Sequence, residues 1–412
     1  MAPGVRSDLQ LEKQWGALIK TIEVDVDAKS WRGKPVPKNL SGGAGTQQIN
    51  ILNALFMLGN ITMPNILSVG SPAHFWAWLR YYLAPASSSE LRIIMPFAEL
   101  DPHQKGILSD DFGVAISTQW LFDRLGGFNQ IVDGRRFVIH FDHLLTKKSA
   151  SKAKVGSSKI PDFVIEDYHG KWHVLECKGT QSGEGFRDHF LERAFQQKHV
   201  LELKGAMRGQ RLAAGLAISN ESNKKASHLK IIDPPPAPLF SLGEAQRSEA
   251  ERVARRISIA RAIGIVGLSE VAVELSLPQE VDVEKVAIFM TGSERVRSRK
   301  SVDDRAGDAL GQLNAENLHS FKVQSATYRG RVAEFEFPGD GGEMSGAKVR
   351  IRQGVSSDVL GGLKSTGFVD SDAIDQRLEQ SAGGVQVETE EGYSSLKYGD
   401  VFFSDIKIVR RA

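Results

Sequence analysis

The chain has 412 residues, with 52 Lys and Arg against 50 Asp and Glu, a net charge of +2, 41% hydrophobic and 25% charged residues. That length suits about two or three domains, each with its own core, and the composition is that of an ordinary soluble globular protein. Cys177 is the only cysteine, which excludes an intramolecular disulfide and makes a reducing cytoplasm the expected compartment.

At the start, Met1 to Asp8 has no apolar run behind its charge, so a signal peptide is not expected. No Lys, Arg, Asp or Glu occurs between Lys38 and Arg80, but Asn50, Asn53, Asn60, Pro64 and Asn65 interrupt the apolar runs. They are too short to span about 30 Å of hydrocarbon, so a buried helical layer is expected and no membrane partner. Residues 1–107 read as a mostly helical region, with an apolar helix from Gln47 to Gly59. Phe75, Trp78 and Tyr82 at helical spacing read as a packed face rather than a base-stacking platform. Ser41 to Thr46 is Gly-rich but lacks the lysine of a phosphate-binding loop.

Next, Ser109-Asp110-Asp111 reads as a helix start leading to Leu125, and Gly126-Gly127 as its end. Arg136 to Phe141 reads as a strand, and a Ser/Ala-rich loop follows that carries Lys147, Lys148, Lys152, Lys154 and Lys159 and no acidic residue. Residues 145–230 hold sixteen Lys and Arg against nine Asp and Glu, so the positive charge of this nearly neutral chain gathers here. The lysine loop is placed to neutralise backbone phosphates.

After the loop, Ile160-Pro161-Asp162-Phe163-Val164-Ile165 and Trp172-His173-Val174-Leu175-Glu176-Cys177-Lys178-Gly179 flank a polar turn containing Gly170. This predicts an antiparallel hairpin. Alternation along the second strand puts Glu176 and Lys178 on one face and Cys177 on the other, toward the core. Charges on an apolar strand are costly to bury unless they pair or hold a cation. Oxygen donors from Asp162 and Glu176 suit Mg²⁺ or Mn²⁺, and Lys178 suits a water, a hydroxide or a phosphate.

Pro161-Asp162 followed by Glu176-Cys177-Lys178 resembles the PD-(D/E)XK, or restriction-endonuclease-like, nuclease superfamily, over roughly residues 108–232, about a third of the chain. The resemblance implies an α/β fold with an α/β/α core and assigns catalysis to Asp162, Glu176 and Lys178. It further implies metal binding by Asp162 and Glu176, with Mg²⁺ or Mn²⁺ as cofactor. Members often add a Glu from the helix ahead of the core, but Phe112 to Ala115 holds none here, and Asp111 is the candidate replacement. Thr180, Arg187 and Gln197, around the helix expected over Gly185 to Leu203, are the implied nucleic-acid contacts beside the lysine loop. Arg211 to Ser219 reads as a further buried strand.

The implied activity is a metal-dependent DNA endonuclease in restriction, phage defence or DNA processing. Its implied partners are double-stranded DNA and, at the protein level, a second copy of the chain or components of a defence system. A catalytically silent nucleic-acid-binding protein on the same fold, or an RNA nuclease, is the alternative. His140 and Asp142, with His143, His169, His173, His189 and His199 nearby, lack the second well-spaced cluster that a zinc hydrolase needs.

Pro234-Pro235-Pro236-Ala237-Pro238 marks the clearest boundary. The expected organisation is therefore a region 1–107, a nuclease-like domain 108–233, a proline-rich linker 234–243, and a module 244–412. That last module opens with a helix over Glu244 to Arg261 and continues as mainly β, with strands around Phe321 to Phe337, Lys348 to Gln353, Val385 to Thr389 and Asp400 to Val409.

Overall fold

The computed structural model describes residues 19–62, 76–144, 160–197, 201–234, 240–278, 290, 292–337, 347–368, 371–381, 383–390 and 392–410. Strands β1 (Ile19–Val26), β2 (Gly45–Asn50), β3 (Gln130–Asp133), β4 (Phe163–Glu166), β5 (Trp172–Thr180), β7 (Arg208–Ala217) and β8 (His228–Ile232) form one mixed sheet. Its order is β2-β1-β8-β7-β5-β4-β3. The β5–β7 and β1–β8 pairs are parallel and the other four antiparallel. A second sheet is wholly antiparallel, in the order β10-β11-β12-β15-β14-β13. It is built from β10 (His319–Val323), β11 (Ala326–Phe337), β12 (Ala347–Ser356), β13 (Val385–Glu390), β14 (Tyr393–Tyr398) and β15 (Phe402–Arg410). The short strands β6 (Leu201–Leu203) and β9 (Phe240–Leu242) pair in parallel.

Helix α1 (Pro102–Leu125) is the longest in contact with the first sheet, about 36 Å at 1.5 Å per residue. Its start is set by Asp101, whose carboxylate accepts from the amides of His103 (3.0 Å) and Gln104 (3.2 Å), with Pro102 in the first turn. Gly126 ends it in the left-handed region, at φ 73°. Ser109, Asp110 and Asp111 thus lie inside the helix, not at its start. The Asp101-Pro102 pair supplies the stronger cap, and Ser109 turns its hydroxyl back onto the Lys105 carbonyl at 2.6 Å.

The face of α1 meets β5 so closely that two positions tolerate no side chain. A Cβ on Gly179 would fall 1.6 Å from the Ser109 carbonyl oxygen, and one on Gly113 would fall 2.7 Å from the Lys178 carbonyl. On the opposite sheet face, helix α2 (Glu184–Gln197) covers β7, where a Cβ on Gly215 would press on Arg187 and Leu191. Gly215 pairs with Lys178, so Glu176 and Lys178 face the α2 side and Cys177 and Gly179 the α1 side.

The hairpin is formed as the alternation demands. Phe163 pairs with Leu175 and Glu166 with Trp172. The turn is held by the Asp167 carboxylate, which accepts from the amides of His169 (2.8 Å) and Lys171 (2.9 Å), while Gly170 takes φ 68°.

Three expectations are corrected. Residues 134–139 form a helix, not a strand. Asp133 caps it through the Arg136 amide (2.8 Å), and Phe137, Val138 and Ile139 are all buried, so burial on every side outweighs their strand preference. Residues 45–50 are strand and only 51–61 helix. The N-terminal region is also less helical than expected, because β1 and β2 extend the sheet through the pairing of β1 with β8.

The proline stretch does not divide the packing; residues 235–239 lie outside the described ones. Beyond it, β9 pairs with β6, and helix α3 (Arg247–Ile265) lies against β3. Ser258 Oγ donates to Gln130 Oε1 (3.0 Å), Tyr398 OH donates to the same oxygen (2.7 Å), and Arg261 donates to the Ile131 carbonyl (2.8 Å). Phe128 bridges to Val385. Tyr168 fits its ring between Gly127 and Gly384, where Cβ atoms would fall 2.4 and 2.2 Å from it, and donates to the Val385 carbonyl (2.9 Å). One hydrophobic cluster includes Ile22, Phe112, Ile259 and Leu396, drawn from all three sequence regions.

Candidate active site

The register that pairs Phe163 with Leu175 brings Asp162, one residue before β4, opposite Glu176. Asp162 Oδ2 accepts from the Cys177 amide at 2.8 Å, which fixes that carboxylate against β5. Two residues along, Lys178 Nζ lies 2.8 Å from Glu176 Oε1. The Glu176 side chain is 5% exposed and that of Lys178 33%, so the pair joins a buried carboxylate to a partly exposed lysine. Asp162, Glu176 and Lys178 are therefore brought together at the C-terminal end of β5. Cys177 points the other way, fully buried, and burial pushes its thiol well above its ordinary range. It is no nucleophile.

The acidic residue of α1 that reaches the end of β5 is Asp110. Its Oδ1 accepts from the Gly179 amide at 3.3 Å. Burial raises its carboxyl above the ordinary range, opposed by that hydrogen bond and the Lys178 charge and reinforced by the Asp162 charge. Asp110 thus feels the charges of both Asp162 and Lys178. Asp111 turns instead to Tyr81, whose hydroxyl it accepts, and burial pushes its carboxyl up to about 6. The Asp111 assignment gives way to Asp110. The signal was present in the sequence: Asp110 and Gly113 are three apart on a helix and share a face, and a bare Gly on that face marks close approach to a strand.

The expected nucleic-acid contacts fare differently. Thr180 is buried, and its Oγ1 accepts from the Ser182 amide at 3.0 Å. Arg187 is 2% exposed, with its guanidinium on Asp188 (2.8 Å) and on His228. Neither presents its polar group to solvent, and for Arg187 the reason is the close seating of α2 over Gly215. Gln197 ends α2, but its side chain, like Lys147, Lys148, Lys152, Lys154 and Lys159, lies outside the described residues.

Among the described residues the histidines do not converge. His140 Nε2 lies 2.9 Å from the Ser276 carbonyl, and burial lowers its pKa to about 4. His173 Nδ1 accepts from the Gln210 amide (3.0 Å), so Nε2 carries the proton donated to Asp167 Oδ2 (3.1 Å).

Asp110, Asp162 and Glu176 offer the hard oxygen donors that Mg²⁺ or Mn²⁺ takes, so the set fits such an ion in kind. It is not a closed cage: among the described residues no group of three or more His, Cys, Asp or Glu side chains is gathered to hold an ion. The Lys178 ammonium stands on Glu176 Oε1, and backbone amides stand on Asp162 and Asp110. Among the described residues no helix is long and apolar enough to cross a membrane.

No protein-family model, no curated protein and no solved structure matches this chain.

Proposed function

We propose that this chain is a metal-dependent nuclease that hydrolyses phosphodiester bonds in double-stranded DNA, working in restriction, phage defence or DNA processing in the cytoplasm. The observation that carries the reading is the placing of Asp162, Glu176 and Lys178 at the end of β5, with Asp110 on the Gly179 amide and within the field of Asp162 and Lys178. The chain order of helix α1, strand β3, the helix at 134–139, strands β4 and β5, helix α2, the short strand β6 and strand β7 is compatible with the helix, strands, helix, strand order expected of a restriction-endonuclease-like α/β/α core.

Asp162 and Glu176, with Asp110, would hold Mg²⁺ or Mn²⁺, which when bound supplies charge to activate water and to offset charge on the scissile phosphate. Lys178 has the reach for a second role. Its side chain is one-third exposed, so its ammonium can meet a phosphate oxygen or hold a water while its stem stays on the strand. Asp110, less acidic than usual through burial, is suited to exchange a proton with that water.

The ion pair of Lys178 with Glu176, together with the open donor set, favours a second reading: a nucleic-acid-binding protein that keeps the fold without the chemistry. Incubation of the full-length protein with plasmid DNA in Mg²⁺, Mn²⁺ or EDTA, beside Lys178→Ala, separates the two. The nuclease reading expects nicked or linear product with metal only, and none from the variant. Retarded but intact plasmid in every lane supports the binding protein; an RNA substrate run in parallel tests the RNA nuclease.

A further inference from the structure

Strand β3 runs antiparallel to β4, and β4 to β5, while β7 runs parallel to β5 and β8 antiparallel to β7. The last residue of β3, the start of β4, the end of β5 and the loop between β7 and β8 therefore share one edge of the first sheet. Asp162, Glu176 and Lys178 lie near the middle of that edge. From β8 to β3 it spans four strand spacings, about 19 Å at about 4.8 Å each.

One flank of the edge follows β3. The Gly134 amide donates to the Asp162 carbonyl at 3.0 Å, so Arg135 and Arg136 come directly beside the candidate active site. Arg136 pairs with the buried Glu294 at 3.2 Å, which docks the short helix Gly292–Ser298 here and brings Arg295 and Arg299 with it. Arg135, Arg295 and Arg299 are exposed, and among the described residues their side chains make no hydrogen bond or ion pair. The acids beside them are engaged: Glu294 by Arg136, and Asp133 by the Arg136 amide at 2.8 Å. Arg297 and Lys300 are balanced by Glu270 (2.6 Å) and Asp308 (2.7 Å). The arginines outnumber the remaining acids, so positive charge prevails on this flank.

The other flank is the loop between β7 and β8, which carries Lys224 and Lys225. Its backbone is fixed from below by Arg92, which is 8% exposed, pairs with Glu90 (2.6 Å) and donates to the carbonyls of Asn220 (3.4 Å) and Lys224 (3.1 Å). Both lysines point into water, and among the described residues the Lys224 ammonium has no partner. Lys225 reaches Glu184 at 3.1 Å, but its side chain is 83% exposed, and a pair so open to solvent is weak and easily exchanged. Glu221 in the same loop is turned away, accepting from the Met95 amide at 2.9 Å. A fixed backbone under free cations lowers the ordering cost of binding a polyanion.

We propose that duplex DNA crosses this edge, its backbone phosphates held by Arg135, Arg295 and Arg299 on one flank and by Lys224 and Lys225 on the other. A phosphodiester between the flanks then lies over Asp162, Glu176 and Lys178. Duplex DNA carries one charge per about 1.7 Å of axis, so a span of about 19 Å presents about eleven phosphates, enough to meet both flanks at once. Such contacts fix where the duplex lies without reading its sequence. This placement rests on the nuclease reading for the identity of the polyanion and adds the path that the polyanion takes.

The test is fluorescence anisotropy of a short labelled DNA duplex with the full-length protein, in EDTA and in Ca²⁺, over a series of sodium chloride concentrations. Three double variants are compared with the parent: Arg135→Gln with Arg295→Gln, Lys224→Gln with Lys225→Gln, and, as a control at the opposite end of β7, Lys204→Gln with Arg208→Gln. All six positions are exposed, so the circular dichroism of the parent is expected throughout. Each flank variant is expected to bind about tenfold more weakly and to lower the salt slope by about two, while the control stays within about twofold of the parent. A parent that does not bind the duplex overturns the proposal. So do flank variants that bind like the parent, a control that loses as much, or a loss confined to one flank. Tighter binding of duplex RNA, lost in the same variants, overturns the assignment to DNA. Plasmid cleavage in Mg²⁺ is followed in parallel. A parent that binds through both flanks and cuts nothing refutes the nuclease reading alone, whereas a parent that cuts, beside flank variants that bind and cut as well, refutes the path alone.

Discussion

The Ser109 carbonyl lies where the Cβ of residue 179 would be, 1.6 Å from that position, so α1 can sit on β5 only because residue 179 is glycine. This contact sets the height of Asp110 above the end of the strand, and with it the approach of Asp110 to Lys178 and Asp162. Gly179→Ala must push helix and strand apart. Overpacking of this kind costs about 3 kcal/mol, and we expect at least that loss in chemical denaturation. DNA cleavage should fall more steeply than stability, because the displaced residue is Asp110. A variant as stable as the parent would show that the helix is not held at this point.

Asp110 and Asp111 are neighbours in sequence with separate tasks in the fold. Asp110→Asn is expected to lower metal-dependent cleavage at least about tenfold with little change in stability, since an amide oxygen still accepts from Gly179 but the charge beside Lys178 is gone. Asp111→Asn should leave cleavage near the parental rate, because its partner is Tyr81. A cleavage assay on both variants decides it, and the reverse ranking would return the role to Asp111.

Glu166 is buried, accepts from Asn129 Nδ2 at 2.7 Å, and burial pushes its carboxyl up to about 7. The unfolded chain releases this proton near pH 4.5 and the folded chain near 7. Ionisation therefore costs the fold nothing below pH 4.5, an increasing amount between, and about 3 kcal/mol above pH 7. Glu166→Gln, which can still accept from Asn129, should be more stable than the parent at pH 8, with the gap closing toward pH 4.5. Urea unfolding of both proteins at the two pH values measures it, and a gap that does not change with pH refutes the assignment.

A fragment ending at Asp233 is expected to fail as a folded protein. Phe137 and Trp172 share a hydrophobic cluster with Leu242, Ala250, Val253 and Ile257, all beyond the proline stretch. Removing these residues opens that cluster to water, and Gln130 loses both Ser258 and Tyr398. Low solubility or the absence of a cooperative unfolding transition is the expected result. A fragment that unfolds cooperatively would show that the C-terminal part is an appendage.

These outcomes mark where the sequence could be read and where it could not. The hairpin carrying Asp162, Glu176 and Lys178 is legible because its signals are local: two apolar, β-prone flanks and a polar turn containing Gly170. The inward direction of Cys177 followed from the same two-residue period. The helix over 134–139 was not legible, since the burial that decides it comes from elements far along the chain. The extension of the sheet by β1 and β2, and the seating of α3 on β3, are likewise non-local pairings that no short window reports. Asp110 depends on where α1 begins: a start at residue 109 makes it part of a cap, and the Asp101-Pro102 start places it on an interior face.

The ring of Tyr168, held between Gly127 and Gly384, ties the hairpin turn to two distant stretches of chain. A side chain gained at either glycine has nowhere to go while the ring remains, and loss of the ring leaves a gap that either position could fill. In descendants of this sequence, residues 127, 168 and 384 should therefore change as a set, so that a departure from tyrosine at the second position accompanies a departure from glycine at the first or third.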